Sequence, residues 1–219
     1  MRQATLFGEP DDLSLAIVNV ASVPQLSPFR YPGGKTWLVP YIRRWLSPSR
    51  LLRERQAPTI RRHFIEPFVG GGSISLAVAS ERLADDVTMV ELDADVAAVW
   101  QSVLNVDDVV WLARAILDYP VTLENVQLLL SADPRTIRER AFQTIVKNRV
   151  CHGGKLAPGA GLLNVGENGR GIRSRWYPET LVRRIRAINS IRDRITFSHG
   201  DGLLAIADHV PATFVVTSS

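Results

Sequence analysis

An α/β fold with an open, largely parallel sheet is predicted by three observations. First, a short apolar strand, Phe64-Ile65, passes through Glu66-Pro67-Phe68-Val69 into Gly70-Gly71-Gly72 and then directly into a helical stretch over 73–82. Second, a β-branched strand over 87–90 ends in Glu91-Leu92-Asp93 and is followed by further helical pattern. Third, two short apolar strands, 195–197 and 213–216, return after a long helical interval. Strands that alternate with helices read as βαβ units around a parallel sheet. A strand–glycine–helix junction is where such sheets receive nucleotide-like cofactors, because backbone N–H groups approach a ligand with no Cβ in the way.

The elements follow in order. Residues 1–27 have little periodicity and read as a leader. The stretch 36–46 reads as a helix with Trp37, Leu38, Tyr41, Ile42 and Trp45 on one face, ended by Ser47-Pro48-Ser49. After the second strand, helices are expected over 94–104 and 108–119. Pro134 is expected to open a helix over 135–149. Residues 151–175 are rich in glycine and form a long loop, a kind of segment that usually carries function or stays disordered. Pro178 then starts an amphipathic helix with Leu181, Ile185, Ile188 and Ile191 inward and arginines outward.

The 219 residues suffice for one α/β domain with a sizeable insertion. No apolar run approaches the ~18–20 residues that span a bilayer, and no secretory pattern is seen, so a cytoplasmic location is expected. Cys151 is the sole cysteine, which excludes a disulfide framework and a cysteine-rich metal site; it is expected to be an inert surface residue. The four histidines, His63, His152, His199 and His209, are scattered without ligand spacing, so no metal is expected.

The net charge of +4 hides an asymmetry. Residues 1–62 carry +6, residues 63–134 carry −10, residues 135–194 carry +10, and the remainder −2. Arginine supplies 23 of the 26 positive charges, and its planar fork suits phosphate. Two basic blocks around an acidic one point to a polyanion met by parts of the chain; a solvated arginine-rich surface is the plainer alternative.

Three motifs bear on chemistry. In Tyr31-Pro32-Gly33-Gly34-Lys35, two glycines ahead of a helix free backbone N–H groups for an anion, Lys35 adds a positive charge and Tyr31 an aromatic face. The second motif is the 64–73 junction. The third is Glu91, 19 residues past Gly72, where a carboxylate can hold a ribose diol. A dinucleotide fold would show G-x-G-x-x-G to cradle a pyrophosphate. Here Glu66 stands beside the loop and would repel one. It suits a cofactor with a cationic, amino-bearing end such as S-adenosylmethionine, and it argues against a nicotinamide-dependent oxidoreductase.

On these motifs the chain resembles the Dam-type DNA adenine-N6 methyltransferases. Their aromatic-x-Gly-Gly-Lys motif is matched by 31–35, and their (F/V)-x-E-P-F-x-G-x-G-S motif by 64–73. The acidic residue after the second strand is matched by Glu91, an Asn-Arg pair in an inserted recognition region by Asn148-Arg149, and a Gly-Asp by Gly200-Asp201. The resemblance spans about 27–216. It implies a Rossmann-like, S-adenosylmethionine-dependent methyltransferase sheet with an inserted, helical and loop-rich DNA-recognition region, in a restriction-modification setting. It divides the chain into a leader (1–27), a cofactor-binding part (28–134), an inserted target-recognition region (135–194) and a return to the sheet (195–219). S-adenosylmethionine would be held by Tyr31, Gly33, Gly34, Lys35, Glu66, Pro67, Phe68, Gly70, Gly72, Glu91 and Asp201. Duplex DNA would be met by Asn148, Arg149, His152, Lys155, Arg170, Arg173 and Arg175.

The family's chemistry lies in a D-P-P-Y motif after strand four, where the target adenine, flipped from the duplex, is gripped by its amino group and stacked. Here strand four is followed by Thr217-Ser218-Ser219, and no D-P-P-Y occurs in the sequence. The expectation is therefore an incomplete sheet and a truncated chain that is inactive alone. The alternatives are half of a split enzyme, with a second polypeptide supplying the C-terminal strands, and a non-catalytic remnant that binds DNA or S-adenosylmethionine.

Overall fold

In the computed structural model, the described residues are 23–30, 34–47, 62–154, 156, 160–163, 169–208 and 214–215. The predicted leader up to residue 22, Tyr31 to Gly33, Lys155 and the ends of the fourth predicted strand lie outside them. Four parallel strands form one sheet: β1 (His63–Glu66), β2 (Asp86–Glu91), β3 (Ile195–His199) and β4 (Phe214–Val215), in the order β3-β2-β1-β4. The chain runs outward from β1 through β2 to β3, then returns to pair β4 on the other side of β1. Such a reversal opens a crevice at the carboxyl ends of the strands.

Phe64 and Ile65 of β1 are fully buried, as befits a central strand covered on both faces. The register sets His63 opposite Asp86 and Glu66 opposite Met89. Glu66 and Glu91 therefore both end at the carboxyl edge of the sheet, on adjacent strands. Pairing continues one step beyond β1, where Val69 N–H donates to the Val90 carbonyl at 3.0 Å and pins the glycine turn to β2.

Ahead of β1, a 3-10 turn (Lys35–Leu38) runs into α1 (Val39–Trp45). It packs on α2 (Ser73–Ser80), and the Arg43 guanidinium grips the Glu81 carboxylate with two bonds of 2.6 and 2.7 Å. After β2 come α3 (Ala94–Leu104) and α4 (Val106–Asp118), with a 107° bend between them. Asn105 causes the break and also starts the second helix, since its side chain accepts from the N–H groups of Asp107 and Asp108. That cap is why α4 begins two residues earlier than its apolar pattern suggested.

Helix α5 (Leu123–Ser131), capped by Thr122, was not foreseen. Next comes α6 (Ile137–Val150). Pro134 precedes it, but Thr136 is the cap, in a reciprocal box with Glu139. Helix α7 (Pro178–Asn189) buries Leu181, Val182, Ile185 and Ile188, and the short α8 (Gly202–Asp208), also unforeseen, follows β3.

Helix α3 lies at the centre of the molecule. Val96, Ala97, Ala98, Val99, Trp100 and Val103 are all buried, with β2 and β3 on one side and α6 and α7 on others. The helices of 135–194 thus share a single hydrophobic core with the sheet. Polar ties reinforce the joint: Arg140 meets Asp95 at 3.0 Å, and the Asn189 amide donates to the Val103 carbonyl at 2.9 Å, satisfying the end of α3. Among the described residues, no single helix is long and apolar enough to cross a membrane.

Candidate functional site

The glycine turn sits on Trp100. Gly72 has φ of 66°, in the left-handed region, and caps α2 from there. A Cβ on Gly72 would lie 2.6 Å from Cζ2 of Trp100, whose indole N–H in turn donates to the Gly70 carbonyl at 3.0 Å. The turn can follow this path only as glycine, on a rigid aromatic floor.

Around this turn a cavity of about 210 Å³ opens, lined by Gly34, Lys35, Glu66, Phe68, Gly70, Gly71, Gly72 and Glu91, with Val69 and Ser73. The residues come from the Gly-Gly-Lys segment, the end of β1, the glycine turn and the end of β2, so the three sequence motifs meet in one place. Lys35 reaches across: its Nζ donates to the Phe68 carbonyl at 2.8 Å and lies 3.6 Å from Glu66 Oε1.

Glu66 is 1% exposed. Its Oε2 accepts from the Ser75 N–H at 3.0 Å and the Ser75 hydroxyl at 2.5 Å, whereas its Oε1 has no hydrogen-bond partner among the described residues. Burial pushes its pKa above the usual carboxylate value, opposed by the Lys35 charge and the Ser75 bonds. Glu91 is ordered differently. Its Oε2 accepts from the Gly70 N–H at 2.8 Å and its Oε1 from the Asp93 N–H at 2.9 Å. Each carboxylate oxygen keeps a further lone-pair site for a hydroxyl.

Pro67 and Asp201 stand at the margin and do not line the cavity. The Asp201 carboxylate accepts from the Leu203 N–H at 2.8 Å and so starts α8. Gly202 packs against Pro67 so closely that a Cβ there would lie 2.0 Å from the Pro67 carbonyl oxygen. Tyr31 and Gly33 are not among the described residues. Trp100 and Ser75 were not singled out from the sequence. Trp100 lies 28 positions beyond Gly72 in an apolar helix, and nothing in that pattern distinguishes a floor from ordinary core.

The residues read as DNA contacts separate into two groups. His152, Arg170 and Arg173 are exposed, with Arg170 stacked over the Tyr177 ring at 5.9 Å and Arg173 Nε donating to the Val121 carbonyl at 2.9 Å. Asn148 is fully buried. Its Oδ1 accepts from the Arg30 N–H at 2.8 Å, and its Nδ2 donates to the carbonyls of Arg30 (3.0 Å) and Gly154 (2.8 Å). In this arrangement its amide serves the backbone, where the sequence suggested a base. Arg149 is 4% exposed, with Nη2 donating to the Pro28 carbonyl at 2.5 Å. Arg175 is half-buried. Cys151, expected at the surface, is 1% exposed with its thiol toward the Ala160 carbonyl at 3.6 Å, because α6 carries it into the core.

Parallel strands, a left-handed glycine turn at their carboxyl edge and two carboxylates flanking it define an α/β protein with a cavity at the carboxyl edge of its sheet. Residues 31–130, which contain every described residue of that cavity, match the family model for D12 class N6 adenine-specific DNA methyltransferase. The match covers 100 of the 219 residues, and over that segment the chain is similar to enzymes that act on DNA adenine. No curated protein matches the chain.

Proposed function

We propose that the protein binds S-adenosylmethionine in the 210 Å³ cavity and serves methylation of the adenine amino group in duplex DNA. The observation that carries this reading is Glu66 Oε1, a buried carboxylate oxygen with no hydrogen-bond partner among the described residues and the Lys35 ammonium 3.6 Å away, at a cavity that also offers Glu91. A buried acceptor of this kind fits a cofactor with a cationic amino acid end and opposes a pyrophosphate. The cofactor, when bound, supplies the methyl group from its sulfonium.

The chain's own residues bind and orient. Glu66 accepts from the cofactor's amino end, and Lys35 faces its carboxylate. The turn at Gly70 to Gly72 admits close backbone approach, and Glu91 takes the ribose hydroxyls on the lone pairs left by Gly70 and Asp93. Phe68, at the mouth, covers an apolar part. Tyr31, Gly33, Pro67 and Asp201 complete the surroundings. His152, Lys155, Arg170 and Arg173 meet the DNA backbone. Asn148 holds the segment that leads into the Gly-Gly-Lys motif.

Titration calorimetry with S-adenosylmethionine and with NAD tests the cofactor reading. Binding of the former, lost in Glu91→Ala, is expected, and a preference for NAD would refute it.

A further inference from the structure

A second cavity, of about 590 Å³, adjoins the first at Gly34 and Ser73. Its wall is unusual in charge. Arg30, Arg149, Arg175 and Arg184 all line it, and no aspartate or glutamate is among the described residues that do. Arg149 is the most confined of the four. It is 4% exposed, its Nη2 is taken by the Pro28 carbonyl, and its buried Nε has no hydrogen-bond partner among the described residues. Arg184 comes in from α7 and donates from Nη1 to the Ser27 carbonyl at 3.1 Å.

Arg149 and Arg184 are thus anchored by neutral carbonyls, with no carboxylate among the described residues of the wall. Burial, followed by the charges of Arg184, Arg30 and Arg175, pushes the Arg149 pKa down to about 9. Arg184 is lowered in the same way, by burial and then by Arg183 and Arg30. A buried guanidinium such as Arg149, with half-buried Arg175 and Arg184 and exposed Arg30 nearby, is costly unless an anion joins it. The first turn of α7 lies in the same wall through Tyr177, Thr180 and Leu181, and no side chain caps it, so its positive dipole end adds to the field.

We propose that this cavity is a phosphate-binding site, built to take a phosphodiester of the nucleic-acid strand and to hold it beside the cofactor cavity. This rests on the DNA-methyltransferase reading for the source of the phosphate and on the arginine geometry for the site itself. Guanidinium forks match the oxygens of a phosphate in pairs. Arg149 Nε supplies a donor that is already desolvated and oriented. The shared wall at Gly34 and Ser73 places the phosphate next to the loop that carries Lys35.

The test uses the full 219-residue chain and a dye-labelled duplex, with binding followed by anisotropy across a salt series. Arg184→Gln and Arg30→Gln are the probes, because neither is as buried as Arg149. Arg135→Gln, exposed and outside the cavity, is the control. Each probe is expected to weaken duplex binding by about tenfold and to lower the slope of log affinity against log salt by about one. The control should keep the wild-type values, and S-adenosylmethionine affinity should be unchanged in all three.

In parallel, inorganic pyrophosphate should raise the Tm of the wild type and not of Arg184→Gln. If the wild type binds S-adenosylmethionine and duplex while both probes keep its slope and affinity, the phosphate site is refuted and the methyltransferase reading stands. If the wild type binds neither, yet pyrophosphate stabilises it through Arg184, the anion site stands with a free anion as its ligand, and the methyltransferase reading falls. Absence of both the pyrophosphate effect and the duplex effect overturns the site.

Discussion

Gly72→Ala is the sharpest probe of the cofactor turn. Two costs add. An L-residue at φ of 66° pays about 1–2 kcal/mol for the left-handed backbone. The new methyl group would also sit 2.6–2.7 Å from two ring carbons of Trp100, far inside van der Waals contact. Trp100 is fully buried, tied through its indole N–H to Gly70 and packed against Phe29 at 6.0 Å, so it has nowhere to go. Overpacking of this kind costs about 1–3 kcal/mol. A total of about 2–5 kcal/mol, at a urea m-value of about 2–3 kcal/mol/M, moves the unfolding midpoint down by about 1–2 M.

The same displacement lifts the Gly70 to Gly72 backbone off its floor, so S-adenosylmethionine affinity by calorimetry should fall at least about tenfold, a loss of about 1.4 kcal/mol. Gly71→Ala, at a position without positive φ, serves as the stability control. In a Trp100→Phe background the clashing ring atoms are gone. The destabilisation by Gly72→Ala should then shrink to its backbone part, a coupling of about 1–3 kcal/mol between the two sites. An unchanged midpoint and unchanged affinity in Gly72→Ala would show that Trp100 is not a floor for the turn.

Two further predictions concern buried polar groups. Burial raises the Glu66 pKa, so the folded state holds that proton to higher pH than the unfolded state. Its cost is therefore absent below the unfolded value near about 4.3 and fully present once pH has passed the raised folded value, and stability declines with pH between the two. Glu66→Gln should remove that decline while abolishing S-adenosylmethionine binding; urea midpoints across pH 4 to 8 that run parallel to the wild type would contradict it. Asn148→Ala removes three backbone bonds, to Arg30 N–H, Arg30 O and Gly154 O, in a fully buried setting. It should cost about 2–4 kcal/mol in chemical denaturation, with wild-type stability as the contrary result.

The parts of the site that could be read from the chain are those in which local sequence forces local geometry. A proline and three glycines between a buried strand and a helix leave few backbone paths, and a carboxylate at the end of the next parallel strand must emerge at the same sheet edge. That is why Lys35, Glu66, Gly72 and Glu91 meet as expected. The parts that stayed hidden depend on contacts between distant segments. Trp100 looks like any core aromatic until the turn is laid upon it. Leu123–Ser131 is short and buries only Val126, too little to show a helical stripe. Asn148 and Arg149 read as DNA contacts because they match an Asn-Arg pair of the resembled family, and Cys151 reads as a surface residue on a loop. All three lie at the end of α6, whose packing against α3 decides their surroundings, and no local pattern encodes it.

The clasp between Asn148 and Arg30 also bears on the order in which the molecule assembles. A side-chain amide that takes both the N–H and the C=O of one residue does for a single position what a neighbouring strand does for a ladder. Its two halves are 118 positions apart, so the loop it closes is among the last to repay its entropy. During synthesis the sheet core from β1 to α3 can form while Arg30 still waits for its partner. The Gly-Gly-Lys segment, which begins three residues after Arg30, is then seated only after α6 has emerged. A nascent chain thus completes its cofactor pocket late, and a ribosome-bound fragment ending before residue 148 should fold its glycine turn yet fail to retain S-adenosylmethionine.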